Sequence, residues 1–249
     1  MRIAAVGDVH VGTDSQGLYR PALEDLHRHA DVLLLAGDLT KCGTVAEAQV
    51  AAREFSGLGI PVAAVLGNHD YHGDAAEEVA AVLADAGIVV LEGTGVAFSI
   101  DGTVLGIAGT KGFGGGFAGR CASVFGEPLM REFASHTVDL ANALHTALSA
   151  LDTDIRIALT HYSPIEATLA GEPREIYPFL GSYLLGEAMD TAGADLALHG
   201  HAHAGTEHGE TPGGIPVRNV AQPVLGTAYA VYELHPAPPV PATRSRASS

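Results

Sequence analysis

The chain has 249 residues, of which 47% are hydrophobic and 17% are charged, a composition typical of a globular protein with a sizeable core. Its net charge of −16 argues against an extended nucleic-acid surface, because such a surface needs a basic face. Since no apolar run reaches transmembrane length and no signal-peptide pattern precedes the first strand, we expect a cytoplasmic protein without a membrane partner. Two cysteines, Cys42 and Cys121, predict no disulfide framework.

The first third of the chain alternates between short apolar runs and helical patterns, which predicts an α/β fold with parallel neighbouring strands. Strands are predicted at 2–7, 31–36 and 62–66, and helices at 21–30, 44–55 and 75–85. We expect Asp74 to cap the third helix, with Glu77 at capping-box distance.

The remaining elements include one segment with two open interpretations. A strand at 88–91 and a hairpin across Asp101-Gly102 lead into the glycine-rich stretch 109–127. That stretch is either a loose surface loop or a loop folded over a site. A long helix (127–151), a strand ending in His161, an irregular segment (172–183) and a helix (183–192) follow.

The last part of the chain predicts two closing strands and a tail. The strands, at 217–220 and 229–234, are expected to pair as the second half of a two-sheet sandwich. Residues 235–249 are rich in Pro, Ser and Ala and predict disorder, so we expect one domain over residues 1–234.

Five predicted strands deliver metal-binding side chains at their carboxyl ends, most of them beside a glycine. Because the carboxyl ends of parallel strands face one crevice, we expect these side chains to converge. They are Asp8, His10, Asp38, Asn68, His161, His201 and His203. Seven oxygen and nitrogen donors without a thiolate are too many for one structural zinc and suit two cations that share a bridging carboxylate.

Taken together, the motifs DxH, GD, GNHD, a lone His and GHxH resemble those of the calcineurin-like metallophosphoesterases. The resemblance implies a four-layer α-β-β-α sandwich of two mixed β-sheets flanked by helices. It also implies that Asp8, His10 and His203 hold one metal, that Asn68, His161 and His201 hold the other, and that Asp38 bridges them. The ions would be divalent or mixed-valence transition metals, namely manganese, iron or zinc.

The activity that the resemblance implies is metal-dependent hydrolysis of small phosphate esters by attack of a metal-bound hydroxide. His69 lies beside a ligand but outside the ligand set, so we expect it to protonate the leaving alkoxide or to stabilise the charge that develops there. The alternative is a purely supporting role. Asp70 either orients a ligand or starts the next turn, and the second role is favoured. His199 is interpreted as a core histidine or a support for the ligands.

Differences between these motifs and those of other family members indicate which branch of the family the chain resembles. Asp38 is followed by Leu39-Thr40-Lys41-Cys42-Gly43, which lacks the GDxxDRG of protein Ser/Thr phosphatases and the metal-binding tyrosine of purple acid phosphatases. The motifs are similar to the bacterial cyclic-nucleotide phosphodiesterase-like branch, so phosphodiesters are the favoured substrates. A phosphomonoesterase is the close alternative, and a catalytically inactive metal-binding scaffold is the third. Lys111, Arg120 and His72 are candidate substrate contacts, and the sequence does not indicate an oligomeric state.

Overall fold

Two mixed β-sheets pack face to face in the computed structural model, which describes residues 1–236. The strands are β1 (Arg2–Val6), β2 (Val32–Ala36), β3 (Val62–Val65), β4 (Val89–Val90), β5 (Thr94–Ile100), β6 (Thr103–Thr110), β7 (Gly116–Phe117), β8 (Arg120–Cys121), β9 (Ile155–Thr160), β10 (Leu196–His199), β11 (His208–Glu210), β12 (Pro216–Asn219) and β13 (Ala230–Glu233). The helices are α1 (Arg20–Leu23), α2 (Leu26–His29), α3 (Val45–Phe55), α4 (Ala76–Asp85), α5 (Pro128–Ser149), α6 (Tyr177–Leu180), α7 (Tyr183–Ala192) and α8 (Gln222–Leu225).

The first sheet has the strand order β13-β1-β2-β3-β4 and the second β11-β12-β10-β9-β6-β5. In the first sheet β1 to β4 are parallel, and β13 is antiparallel to β1. In the second sheet β12, β10, β9 and β6 are parallel, with an antiparallel strand at each edge. A separate two-stranded ribbon joins β7 to β8.

Side-chain alternation along the strands creates the layers, because successive residues of a strand point to opposite faces. In β1, Ile3 and Ala5 belong to the core between the two sheets, whereas Ala4 and Val6 pack with the helices that cover the first sheet. In β9, Ile157 and Leu159 face the first sheet, and Ala158 packs with residues of α5 and α7. The predicted four-layer α-β-β-α sandwich of two mixed sheets is therefore confirmed.

The one helix cap that was predicted, at Asp74, is wrong, and the structure shows a cap at Thr44 that was not predicted. Thr44 caps α3 in a complete capping box with Glu47. Asp74 does not cap α4: it has a left-handed backbone (φ 51°), and Ala75 takes the cap position without a side-chain hydrogen bond. The single helix expected at 21–30 is two short helices, separated where the backbone of Asp25 leaves the helical region, as Asp disfavours helix interiors.

The final strand was assigned to the wrong sheet. We expected residues 229–234 to pair with 217–220, but β13 pairs with β1 of the first sheet and β12 lies beside β10 in the second. Alternation of apolar residues marks a strand without specifying its neighbour, which explains the error. The predicted disordered tail lies outside the described residues from 237 onward, and His235 and Pro236 have no regular structure.

Most of the glycine-rich stretch is packed rather than loose. Residues 111–117 are buried or half-buried, whereas 118–121 are exposed at the ribbon turn. Thr137 of α5 donates a hydrogen bond to the Gly114 carbonyl, and the Gly115 amide donates to the carbonyl of Pro178 at 2.7 Å. This stretch is therefore fixed between α5 and the 172–183 segment. Within residues 1–236, none of the helices combines the length and apolar character needed to cross a membrane.

Glu54 of α3 stabilises the segment before α1, because its carboxylate accepts backbone N–H bonds from Gly17, Tyr19 and Arg20. Burial raises the pKa of Glu54, but these hydrogen bonds outweigh burial and leave the pKa below its ordinary value of 4.5. A carboxylate whose pKa is lower in the folded state than in the unfolded state stabilises the fold at pH values above its ordinary pKa. This stabilisation is lost as the pH falls through the pKa of the folded state.

We therefore expect Glu54→Gln to lower the free energy of unfolding by about 1–3 kcal/mol at neutral pH. The difference from the unsubstituted protein should shrink as the pH falls below 4.5, the ordinary value for this group. Urea denaturation across this pH range measures both effects, and Glu132→Gln, at an exposed position of α5, is the matched control. A difference that stays constant across the range would contradict this interpretation.

Candidate metal centre

The structure brings the seven candidate ligands together at one edge of the sandwich, although they follow strands of two different sheets. Asp8, His10, Asp38 and His203 each place one ligand atom within 4.8 Å of those of the others. Asp38, His161 and His201 form a second such group. Asn68 joins this second group, as its Oδ1 lies 2.9 Å from Nε2 of His161. Asp38 belongs to both groups, the position a bridging ligand would occupy.

The loops that carry these side chains are tied to one another by hydrogen bonds. The amides of Asp8 and His10 donate to the carbonyls of Gly37 (2.9 Å) and Asp38 (3.0 Å). The His69 amide donates to Asp38 Oδ1 at 2.8 Å. The His201 amide donates to Asp8 Oδ2 at 2.9 Å. Each carboxylate thus holds the loop of another candidate ligand, which fixes the cluster before any ion binds.

Left-handed backbone is concentrated in this cluster. Asp8 (φ 57°), His10 (φ 43°), Asp38 (φ 50°) and His201 (φ 69°) all adopt it, and each non-glycine residue in this region costs roughly 1–2 kcal/mol. Such strain persists only where the surrounding structure imposes it, and it is typical of functional sites.

Two glycines are required by the close approach of the carboxylates. A Cβ built on Gly67 would lie 2.1 Å from Asp38 Oδ1, and one built on Gly200 would lie 2.2 Å from Asp8 Oδ2. Real Cβ atoms essentially never come this close to another heavy atom. The glycines that end the predicted strands therefore make room for the two carboxylates.

Hydrogen bonds select which ring nitrogen of two histidines can accept. Nδ1 of His161 lies 2.9 Å from the Ala36 carbonyl, and Nε2 of His201 lies 3.2 Å from the Phe179 carbonyl. In a neutral imidazole the nitrogen that donates leaves the other with a lone pair. Nε2 of His161 then faces Asn68 Oδ1 and, at 3.4 Å, Asp38 Oδ1. With His161 in this tautomer, a cation between the three atoms would satisfy all of them.

Charge and burial in the cluster agree with that requirement. Burial raises the pKa of Asp8, but the hydrogen bond from His203 and nearby positive charge outweigh burial and leave the pKa lowered. Burial lowers the pKa of His201 to about 3, so this ring is neutral at physiological pH. Nε2 of His10 is buried and has no hydrogen-bond partner among residues 1–236. A buried imidazole nitrogen without a hydrogen-bond partner, beside the carboxylates of Asp8 and Asp38, fits a transition-metal ion.

His69 lies beside the cluster with a defined ring orientation. Its Nδ1 lies 2.8 Å from the carbonyl of Lys41, so Nδ1 donates and Nε2 is left for other partners. The ring centroid is 4.5 Å from that of His10 and 4.4 Å from that of His72.

Asp70 has a structural role that the sequence interpretation missed. Its buried carboxylate accepts hydrogen bonds from the amides of Gly67, Leu39 and Thr40, and it thereby ties the loop after β3 to the loop after β2. Burial raises the pKa of Asp70. From the sequence we assigned this residue to the start of the next turn. Its position directly after His69 was the feature of the sequence that could have indicated a role in the site.

The other predicted positions differ in their distance from the cluster. His199 is buried and lies 2.8 Å from the Thr168 hydroxyl, as expected for a core histidine. Of the candidate substrate contacts, His72 is exposed beside His69, and Lys111 is buried next to Tyr162. Arg120 is exposed in β8, and among the described residues no ion pair joins its side chain to the candidate ligands. Tyr162, whose ring packs 4.4 Å from that of His201, was not predicted.

Comparison with known proteins agrees with this geometry. Residues 1–205 match the model of the calcineurin-like phosphoesterase family. No curated protein matches the chain. Among solved structures, the chain is similar to phosphopantetheinyl hydrolase (PptH) from Mycobacterium tuberculosis, with a TM-score of 0.63, 16% identity and 88% of each chain covered. It is also similar to TT1561 of Thermus thermophilus, with a TM-score of 0.51, 20% identity and 88% of each chain covered.

A further structural relative is GAP50, the anchor in the inner membrane complex of Plasmodium, with a TM-score of 0.54 and 16% identity over 90% of this chain and 72% of that one. At these identities the structures establish the fold alone. The family match establishes the class of the protein, which is a metal-dependent phosphoester hydrolase. The chain belongs to the calcineurin-like phosphoesterases, a family that typically binds a dinuclear divalent metal centre.

Adding a methyl group at Gly67 tests whether the close approach to Asp38 matters. We expect Gly67→Ala to displace the Asp38 carboxylate, to lower the metal content of the purified protein and to destabilise the fold by about 1–3 kcal/mol. Elemental analysis and thermal denaturation measure these effects. Gly95→Ala is the control, because its Cβ would come no closer than 3.2 Å to any neighbour, the end of the Leu151 side chain, with the Ile107 carbonyl oxygen next at 3.4 Å. A Gly67→Ala protein with normal metal content would contradict the packing argument.

Proposed function

We propose that this protein hydrolyses small phosphate esters with the help of two metal ions held by the seven clustered side chains. The observation that carries the proposal is that the buried Asp38 belongs to both ligand groups. In this proposal Asp8, His10 and His203 would hold one ion, Asn68, His161 and His201 would hold the other, and Asp38 would be shared between them. Ions in such a pair polarise the phosphoryl oxygens and lower the pKa of water.

The residues around the ions would prepare the ester for attack. The hydrogen bonds from His69 and His201 amides keep the Asp38 and Asp8 carboxylates oriented, so little reorganisation is needed during the reaction. The Ala36 carbonyl accepts from Nδ1 of His161 and leaves Nε2 of that ring free to bind an ion. The Phe179 carbonyl accepts from Nε2 of His201 and leaves Nδ1 of that ring free.

We assign His69 the role of proton donor to the leaving group. Its Nδ1 is engaged by the Lys41 carbonyl, which leaves Nε2 as the nitrogen that can carry and release a proton. The packing of its ring against His10 keeps it beside the candidate metal ligands. A purely supporting role is the alternative, and replacement of His69 by alanine distinguishes the two roles.

Phosphodiesters are the first substrate class of this proposal, following the similarity of the motifs to the cyclic-nucleotide phosphodiesterase-like branch. Phosphomonoesters are the second candidate, because a buried lysine, Lys111, adds positive charge close to the site. An inactive scaffold is disfavoured, since all seven ligand candidates and His69 lie together. Manganese, iron or zinc as the ions and a cytoplasmic location complete the proposal.

Removal and return of metal tests the central step. We expect a strong chelator to abolish hydrolysis of both bis(p-nitrophenyl) phosphate and p-nitrophenyl phosphate, because the ions supply most of the stabilisation of negative charge. Adding back Mn²⁺, Fe²⁺ or Zn²⁺ separately should restore activity and rank the metals. Activity that survives complete removal of metal, verified by elemental analysis, would overturn the proposed function.

Replacement of the proposed proton donor gives a second test. We expect His69→Ala to keep its metal content and to lose roughly 10²–10⁴-fold in kcat for an ester with an alkyl leaving group. The loss should be smaller for p-nitrophenyl esters, because p-nitrophenolate leaves without a proton.

The matched control is His208→Ala, at an exposed position of β11, which should retain activity on both esters. If His69→Ala loses equal activity for good and poor leaving groups, His69 supports the site without donating a proton. An unchanged kcat for both would remove it from the mechanism.

A further inference from the structure

Lys111 reaches the metal-binding edge by the same route as the candidate ligands. Strand β6 lies parallel to β9 in the second sheet, with Thr110 paired to Thr160. Lys111 therefore follows the end of β6 as His161 follows the end of β9. The two are linked, because the amides of His161 and Tyr162 donate to the Lys111 carbonyl at 3.0 and 3.1 Å.

Three aromatic rings surround the ammonium group of Lys111. Its Nζ lies 5.1 Å from the ring centroid of Tyr71, 4.9 Å from that of Phe113 and 5.3 Å from that of Tyr162. Tyr71 follows His69-Asp70, and Tyr162 follows His161, so two walls of this cage are joined to segments of the candidate metal centre. The third wall, Phe113, comes from the glycine-rich stretch.

The ammonium group of Lys111 makes fewer hydrogen bonds than its three N–H donors allow. Lys111 is 7% exposed, and its Nζ donates one hydrogen bond, to the Gly112 carbonyl at 3.3 Å. Among residues 1–236 no carboxylate forms an ion pair with it. An ammonium group has three N–H donors, and a buried charge without a direct ion-pair partner is costly. Burial lowers the pKa of Lys111, and the charges of Glu92 and Asp38 offset this only in part. Aromatic rings offset part of that cost but accept no ionic hydrogen bond.

We propose that Lys111 binds an unesterified oxygen of the substrate phosphate and determines how well the site accepts phosphomonoesters. The inference rests on the proposed function. A phosphomonoester has one more unesterified oxygen than a diester and carries up to one more negative charge. A fixed cation beside the two ions would contact that oxygen, whereas a diester has an ester oxygen there. Lys111 is thus a specificity determinant, and the glycine-rich stretch holds it through Phe113.

Kinetics on two esters test this role. We expect Lys111→Met to lower kcat/KM for p-nitrophenyl phosphate roughly 10–100-fold, the effect of losing one charge-assisted hydrogen bond. The kcat/KM for bis(p-nitrophenyl) phosphate should change by less than about 3-fold, because the diester lacks the extra oxygen. Metal content should stay the same. Arg53→Met removes one exposed positive charge from α3 and should change neither value.

A binding measurement makes the test independent of turnover. The chain contains only two lysines, Lys41 and Lys111, so protein labelled at lysine Cε gives two NMR signals, and Lys41→Met assigns them. The three rings should shift the Lys111 signal upfield. Inorganic phosphate added to the zinc-loaded protein should move the Lys111 signal and leave that of Lys41 in place.

The outcomes separate this inference from the proposed function. Equal losses on both esters, no loss on either, or a Lys111 signal that phosphate does not move would overturn the role of Lys111. If the unsubstituted protein hydrolyses neither ester, the proposed function fails, and the phosphate titration still decides whether Lys111 binds phosphate. If Lys111→Met does not fold, the kinetics of Lys111→Gln and the phosphate titration of the unsubstituted protein test the role of Lys111 instead.

Discussion

Two carboxylates buried at the seam between the sheets are the constraint on which the rest of the structure depends. Asp8 and Asp38 are 2% and 1% exposed, respectively, and a buried charge is tolerated only when opposite charge and hydrogen bonds compensate it. Backbone amides from loops of the first and second sheets supply part of that compensation. The histidine rings supply more, and a cation between the acceptors would complete it.

This constraint explains several local features that would otherwise be unfavourable. A left-handed backbone conformation is adopted by Asp8, His10, Asp38 and His201. Space for the carboxylate oxygens is left by Gly67 and Gly200. The strain is balanced by the buried core between the sheets and by the tie that Asp70 makes between two loops. A rigid arrangement of this kind is what positions charge for catalysis with little reorganisation.

Around this fixed centre, the segments that distinguish this chain are those without a family motif. The 172–183 segment contacts the centre through the Phe179 carbonyl and through Glu172, which accepts the Ala204 amide at 2.7 Å. The glycine-rich stretch contributes Lys111 and Phe113. Because the candidate ligands lie within the family motifs, we expect substrate preference to depend on these surrounding segments.

The sequence by itself determined most strands, the longer helices and the identity of the polar residues at the strand ends, because these depend on local periodicity and on glycine. It did not predict the short strands β7, β8 and β11 or the short helices α6 and α8. It could not determine which strand lies beside which, so β13 was assigned to the wrong sheet. The tertiary structure alone decided that Asp38 belongs to both groups, that Asp70 ties two loops and that Lys111 is enclosed by Tyr71, Phe113 and Tyr162. Each of these depends on contacts between residues distant in the chain, which side-chain patterns within one segment do not encode.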